Sequence, residues 1–182
     1  NKRMETAVVS QLIDQYGMDV MRFCRSLTRC ACDAEDLYQQ TFLKLLQLRV
    51  KVEREQNPRA FLFSIASGIW KNECRKWGRR TDIAPSSSLE ELLEQPPQEP
   101  PDGGDLQQQV LDRMCQQELA RAVQRLEEKY RSPVILMYRF GMGIDEIARI
   151  ERVPKGTIKS RLSRARKQLR KEMEERGYAQ EF

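Results

Sequence analysis

Val153-Pro-Lys-Gly-Thr-Ile-Lys-Ser-Arg-Leu-Ser-Arg-Ala-Arg-Lys-Gln-Leu-Arg-Lys171 carries a cation at almost every other position and no carboxylate to balance any of them. Like charges at i,i+4 destabilise a helix by a few tenths of a kcal/mol per pair, roughly, so such a segment calls for an anion laid against it. Ile158, Leu162, Ala165 and Leu169 recur at spacings of four, three and four, which puts them on one helical face able to bury. Lys155, Lys159, Arg161, Arg164, Arg166, Lys167, Arg170 and Lys171 occupy the rest of the circumference. A solvated basic face is the plain reading of such a run taken alone.

The residues upstream sharpen it. Gly143-Ile-Asp-Glu-Ile-Ala-Arg-Ile-Glu-Arg-Val-Pro154 predicts a short amphipathic helix with Ile147 and Ile150 inward, then a brief break before the basic helix. Helix, short turn, basic helix is the rhythm of a helix-turn-helix, whose second helix enters the major groove. Pro154 suits the first turn of that helix, where its missing N–H has no partner to lose. Thr157, Lys159, Ser160, Ser163 and Arg164 fall on its exposed side and are types that reach base edges and phosphates.

The 182-residue chain has room for one medium domain or two small ones, is 32% charged and has a formal net charge of +5. Its positive charge is gathered at Lys71–Arg80 and Arg152–Lys171, whereas 33–36 and 90–118 are acidic, a distribution that favours a polyanionic partner. The five cysteines, Cys24, Cys30, Cys32, Cys74 and Cys115, have no regular spacing, and no apolar signal segment precedes them, so a reduced, cytoplasmic protein is expected. Cys30-Ala-Cys32 has no histidine anywhere to complete a common zinc set, and ordinary thiols are expected there, with no metal or cofactor. No run of about 18 apolar residues suggests a membrane span. Without histidine, a phosphate-cradling glycine loop or a spaced ligand set, an enzyme is not expected.

The periodicity predicts an all-α fold. A first helix over Thr6–Leu27 presents Val9, Leu12, Ile13, Tyr16, Val20, Phe23 and Leu27; a second, capped by Asp33, runs from Ala34 to about Leu48 with Leu37, Phe42, Leu45 and Leu46 inward. Asn57 and Pro58 open a third with Phe61, Leu62, Ile65, Ile69 and Trp77 on its apolar face. Trp70 and Trp77 are candidate stacking platforms for bases, although an aromatic at helical spacing is more often core, the reading taken for Trp77. Thr81–Asp105, rich in Ser, Pro and Gly, reads as a flexible acidic linker between two small helical domains, 1–80 and 106–182, the second containing the helix-turn-helix. The second opens near Leu106 with Val110, Met114, Leu119, Val123 and Leu126 on one face, and Ser132-Pro133 reads as a cap and first-turn proline.

Three separated stretches, Asp33-Ala-Glu-Asp-Leu-Tyr-Gln-Gln-Thr-Phe42, Arg59-Ala-Phe-Leu-Phe-Ser-Ile-Ala66, and Glu146-Ile-Ala with Gly156-Thr-Ile-Lys-Ser-Arg-Leu-Ser-Arg-Ala-Arg166, resemble bacterial RNA polymerase sigma factors of the extracytoplasmic-function (ECF) group, in order over nearly the whole chain. The resemblance implies a promoter-specificity factor whose first domain binds core polymerase and melts and captures the −10 element while the second reads the −35 element. It implies contacts with the β′ clamp helices by Asp33, Glu35, Asp36, Gln39 and Gln40, and with the β flap. A loop over Arg49–Asn57 would hold a flipped base, and Asn57, Lys71, Asn72, Arg75, Lys76 and Arg79 would line the −10 strand. Lys155, Thr157, Lys159, Ser160, Arg161, Ser163 and Arg164 would meet the −35 duplex, Arg161 through a phosphate. An anti-sigma protein is implied as the inhibitor.

The chain departs from the family pattern at Gly68, where an asparagine is usual, at Glu151-Arg152, in place of Leu-Gly, and at Gly143, in place of a serine cap. The reading from another class is a self-standing helix-turn-helix regulator whose first domain senses a ligand or dimerises. The acidic Asp33–Gln40 helix coupled to a basic strand-binding helix distinguishes the two, since a ligand-sensing domain has no need of that pair.

Overall fold

A computed structural model describes residues 2–48, 57–78 and 106–178, with side chains at 9–48, 57–76 and 113–178. Among the described residues there are seven helices and no strand: α1 (Lys2–Leu27), α2 (Ala31–Gln47), α3 (Pro58–Gly78), α4 (Leu106–Arg125), α5 (Glu128–Tyr138), α6 (Ile144–Glu151) and α7 (Lys155–Glu175). The expected linker 81–105, the 49–56 part of the expected base-holding loop, and the side chains of Trp77 and Val110 lie outside the described residues.

α1, α2 and α3 pack on one another, and α5, α6 and α7 form a second group with α4 laid along α7. The α1–α2 approach is close: a Cβ added at Gly17 would meet Tyr38 Oη at 3.0 Å, so a larger residue there would require the tyrosine hydroxyl to shift. Asp19 ties α1 to α3 through Arg59 at 2.9 Å. The groups also pack together, α6 and α5 against α3 and α5 against α1. Phe140, just beyond α5, sits edge-on to Phe63 of α3 (4.9 Å between centroids) and to Phe23 of α1 (5.7 Å), and those two rings stack at 4.6 Å. Aromatic pairs at these separations contribute about 0.5–1.5 kcal/mol beyond simple burial. Buried Arg131 reaches across the same junction, donating to the carbonyls of Leu27 (3.0 Å) and Leu126 (2.9 Å) and lying over Trp70. Leu27 is the last residue of α1, so Arg131 satisfies one of the carbonyls every helix end leaves open. Burial pulls the Arg131 guanidinium down to about 10.

Asn57 caps α3 as expected, its Oδ1 accepting from the Ala60 N–H at 3.0 Å, and Ile158, Leu162, Ala165 and Leu169 are buried along α7. Several expectations change. Cys30, not Asp33, caps α2: its Sγ accepts from the Asp33 N–H at 3.3 Å and the helix starts at Ala31, leaving Asp33 in the first turn, where the dipole favours an anion. Ile13 and Leu46 are exposed, because each lies at the edge of its apolar stripe, beyond the reach of the neighbouring helix. Trp70 is core at 5% exposure. On α4, Met114 is exposed and Cys115, Glu118 and Ala122 are buried, while Leu119 and Val123 of the expected stripe are half-buried against the core and Leu126, just beyond the helix, is buried as expected. Glu118 can be buried there because Arg121, Arg125 and Arg176 surround its carboxylate. Burial pushes its carboxyl up, but hydrogen bonds from Arg125 and Arg121 and the charge of Arg176 outweigh this and hold it below the usual range. Ser132-Pro133 does not start a helix: α5 begins at Glu128 and contains Pro133, whose lost backbone hydrogen bond is offset by burial of every residue from Tyr130 to Leu136. Pro154 precedes α7 as its N-cap residue, one place earlier than expected.

Candidate nucleic-acid and polymerase interface

α6 and α7 form the helix-turn-helix. The N–H of Gly143 donates to the Glu146 carboxylate at 3.2 Å, closing the start of α6 without a side-chain cap on Gly143 itself. The turn is reversed by Arg152, at φ 54 and ψ 44, and the N–H of Val153 reaches back to the Ala148 carbonyl at 3.1 Å. That is the geometry helices usually end on with glycine, here imposed on an arginine.

Along α7, Lys159, Ser160, Ser163 and Arg164 are exposed and Thr157 is half-buried. Ser160 Oγ donates to the Thr157 carbonyl at 2.9 Å, an arrangement an exposed hydroxyl can exchange for another acceptor. Lys155 pairs with Asp145 of α6 at 2.8 Å, and its hydrogen bond lowers the Asp145 carboxyl although both side chains are exposed. With Ile158 and Leu162 seated in the core, the amino-terminal half of α7 presents a polar, cationic surface of the width a major groove accepts. Arg161 differs: it is largely withdrawn and its Nη1 lies 3.9 Å from a Glu151 carboxylate oxygen.

On α3, Asn72, Arg75 and Lys76 are exposed, Lys76 pairing locally with Glu73 at 2.8 Å. Lys71 is only 16% exposed and is bound to Glu151. Asn57, at the start of α3, donates from Nδ2 to Glu146 of α6 at 3.1 Å. Arg79 lies outside the described residues. On α2, Glu35, Asp36, Gln39 and Gln40 are exposed and Asp33 half-exposed, a continuous acceptor-rich surface.

The structure thus places the acidic surface on α2 and the cationic residues on α3 and α7, and brings Lys71 and Arg161, expected on different DNA elements, onto a shared carboxylate. Glu151, Ser67, Ser132 and Arg131 were not among the expected site residues. Only Glu151 carried a signal in the sequence, as a charge where the family has a core leucine. Cys30 and Cys32 make no common ligand set, and among the described residues no group of three or more Cys, Asp or Glu side chains is placed to hold a metal ion. Burial pushes the Cys24 thiol up to about 12 and the Cys74 thiol up to about 11, so both stay protonated at neutral pH.

The family model for sigma-70 region 2 matches residues 12–80, and that for sigma-70 region 4 matches residues 116–169. The ECF RNA polymerase sigma factor EcfG of Rhodopseudomonas palustris is 30% identical over 147 residues, 81% of this chain and 75% of that one. The chain belongs to the ECF sigma factors of the sigma-70 family. SigL of Mycobacterium tuberculosis, another ECF sigma factor, is 29% identical over 174 residues, 95% of this chain and 93% of that protein. The Bartonella quintana sigma factor RpoE, solved in complex with the anti-sigma factor NepR, superposes with a TM-score of 0.66 at 27% identity, covering 91% of this chain and 96% of that one. Among the described residues of this ECF sigma factor no helix is long and apolar enough to cross a membrane.

Proposed function

We propose that this sigma factor binds core RNA polymerase through the acidic α2 surface against the β′ clamp helices and through its second half against the β flap. The first domain, 1–80, opens and captures the −10 element with Asn57, Lys71, Asn72, Arg75, Lys76 and Arg79. The second, 106–182, reads the −35 duplex with Lys155, Thr157, Lys159, Ser160, Arg161, Ser163 and Arg164. The chain performs no bond chemistry; the polymerase supplies catalysis. An anti-sigma factor holds the protein inactive, a reading supported by the resemblance of the fold to a sigma factor solved with one.

The observation that carries the reading is the pairing of an exposed acidic helix with two cationic strips, each on a helix whose opposite face is core. Phosphate contacts dominate affinity and make it salt-dependent, while base-edge contacts from Lys159 and Arg164 decide sequence, at about 1–3 kcal/mol each. Run-off transcription with purified core polymerase and a pool of promoter fragments, at two salt concentrations, tests it. Transcripts that require the protein, and fade with salt, are expected. Absence of both transcripts and core binding, with duplex binding by the second half retained, would establish the self-standing regulator instead.

A further inference from the structure

The Glu151 side chain, at the carboxy end of α6, has no solvent exposure. Its Oε1 accepts from Ser67 Oγ (2.8 Å) and Ser132 Oγ (2.7 Å). Its Oε2 binds Lys71 Nζ and faces Arg161 Nη1 at 3.9 Å. Ser67 and Lys71 stand one turn apart on α3, whereas Ser132 and Arg161 belong to α5 and α7. A carboxylate from the helix-turn-helix half is therefore seated in α3 of the other half, with each oxygen met by a donor from either side. Burying a charge is unfavourable unless it is so completely partnered, and taking away one partner leaves a buried charge uncompensated.

The geometry points to Glu151 as an internal phosphate mimic that latches the two halves together and keeps Lys71 and Arg161 from DNA. This rests on the roles proposed above for those two cations. A carboxylate flanked by a lysine, an arginine and two hydroxyls has the partners a backbone phosphate would take. Asn57, a third proposed −10 residue, is likewise held by Glu146. The exposed face of α7 stays open, so the latch falls mainly on the strand-capturing side. Gly68, beside Ser67, has nothing within 4 Å of an added Cβ, so the latch does not depend on glycine there. Opening the molecule exchanges Glu151 for phosphate on the same cations, which makes DNA binding and opening one coupled step.

The test uses the full chain without polymerase. Small-angle X-ray scattering reads compactness, and fluorescence anisotropy reads binding to a fluorescein-labelled single-stranded DNA oligonucleotide of mixed sequence, which reports the backbone contacts at issue without needing a known promoter. Glu151→Gln keeps the shape and removes the charge; Ser67→Ala keeps the charge and removes a donor from α3 alone. Both variants are expected to show a larger radius of gyration and oligonucleotide binding tightened by about tenfold, the scale of one hydrogen bond to a charged group. If Glu151→Gln loses helicity, Ser67→Ala decides, since it leaves α6 untouched. Variants that fold yet remain as compact as the parent would overturn the latch. Expansion without tighter binding would overturn the competition with phosphate. Failure of the proposed function reads differently: no transcript with polymerase from parent or variants, whatever their dimensions.

Discussion

Arg164→Ala separates reading from folding on α7. Arg164 is exposed and makes no ion pair among the described residues, so its truncation should change stability by no more than about 0.5 kcal/mol. Its neighbour Leu162 is 3% exposed, and Leu162→Ala should cost about 2–5 kcal/mol, removing the helix-turn-helix rather than testing it. If Arg164 pairs with a base edge, its loss should weaken promoter binding by about 1–3 kcal/mol, roughly 5- to 150-fold, at one position of the −35 element. A phosphate contact would weaken all sequences alike and reduce the slope of log affinity against log salt by about 0.9. The assay is holoenzyme binding to matched and −35-substituted promoters between 50 and 200 mM salt, roughly the range over which such slopes are read, together with core-polymerase binding. Unchanged promoter affinity, or an equal loss of core binding, would refute the assignment.

Arg152→Gly should stabilise the chain by about 1 kcal/mol, since glycine accepts the left-handed backbone that arginine holds at φ 54; an unchanged or lower Tm counts against strain at the turn. Glu118, lowered in the folded state, stabilises it above the unfolded carboxyl's pKa, and that contribution should fade as pH falls through the lower folded value. Glu118→Gln should flatten this acid limb of a Tm-against-pH curve, and an unaltered limb would show that other carboxylates set it.

The α7 stripe and the helix-turn-helix were legible because a helical period and a proline near its start are local signals, which tertiary packing only had to honour. Pro133 was misread for the same reason: a serine followed by proline signals a start locally, and only the burial of Tyr130–Leu136 lets the helix run through it. Met114, expected inward, is exposed, the buried side of α4 passing through Cys115, Glu118 and Ala122. A carboxylate on that side is not anticipated from residue type, because its partners Arg121, Arg125 and Arg176 are seen only in the fold. Of the site, the exposed cations and acids could be named from residue type and position. That Lys71 and Arg161 share Glu151 could not, because the pairing joins residues 80 positions apart through the meeting of the two halves.

The ring cluster of Phe23, Phe63 and Phe140 gives that meeting a response to temperature. Apolar contact weakens on cooling, because hydration of the exposed rings has little enthalpy near room temperature and a large heat capacity. The desolvation penalty of ions falls on heating. Both contributions therefore act in one direction, so three phenylalanines and one glutamate strengthen their share of the junction together on warming and weaken it together on cooling, against the conformational entropy that favours opening as temperature rises.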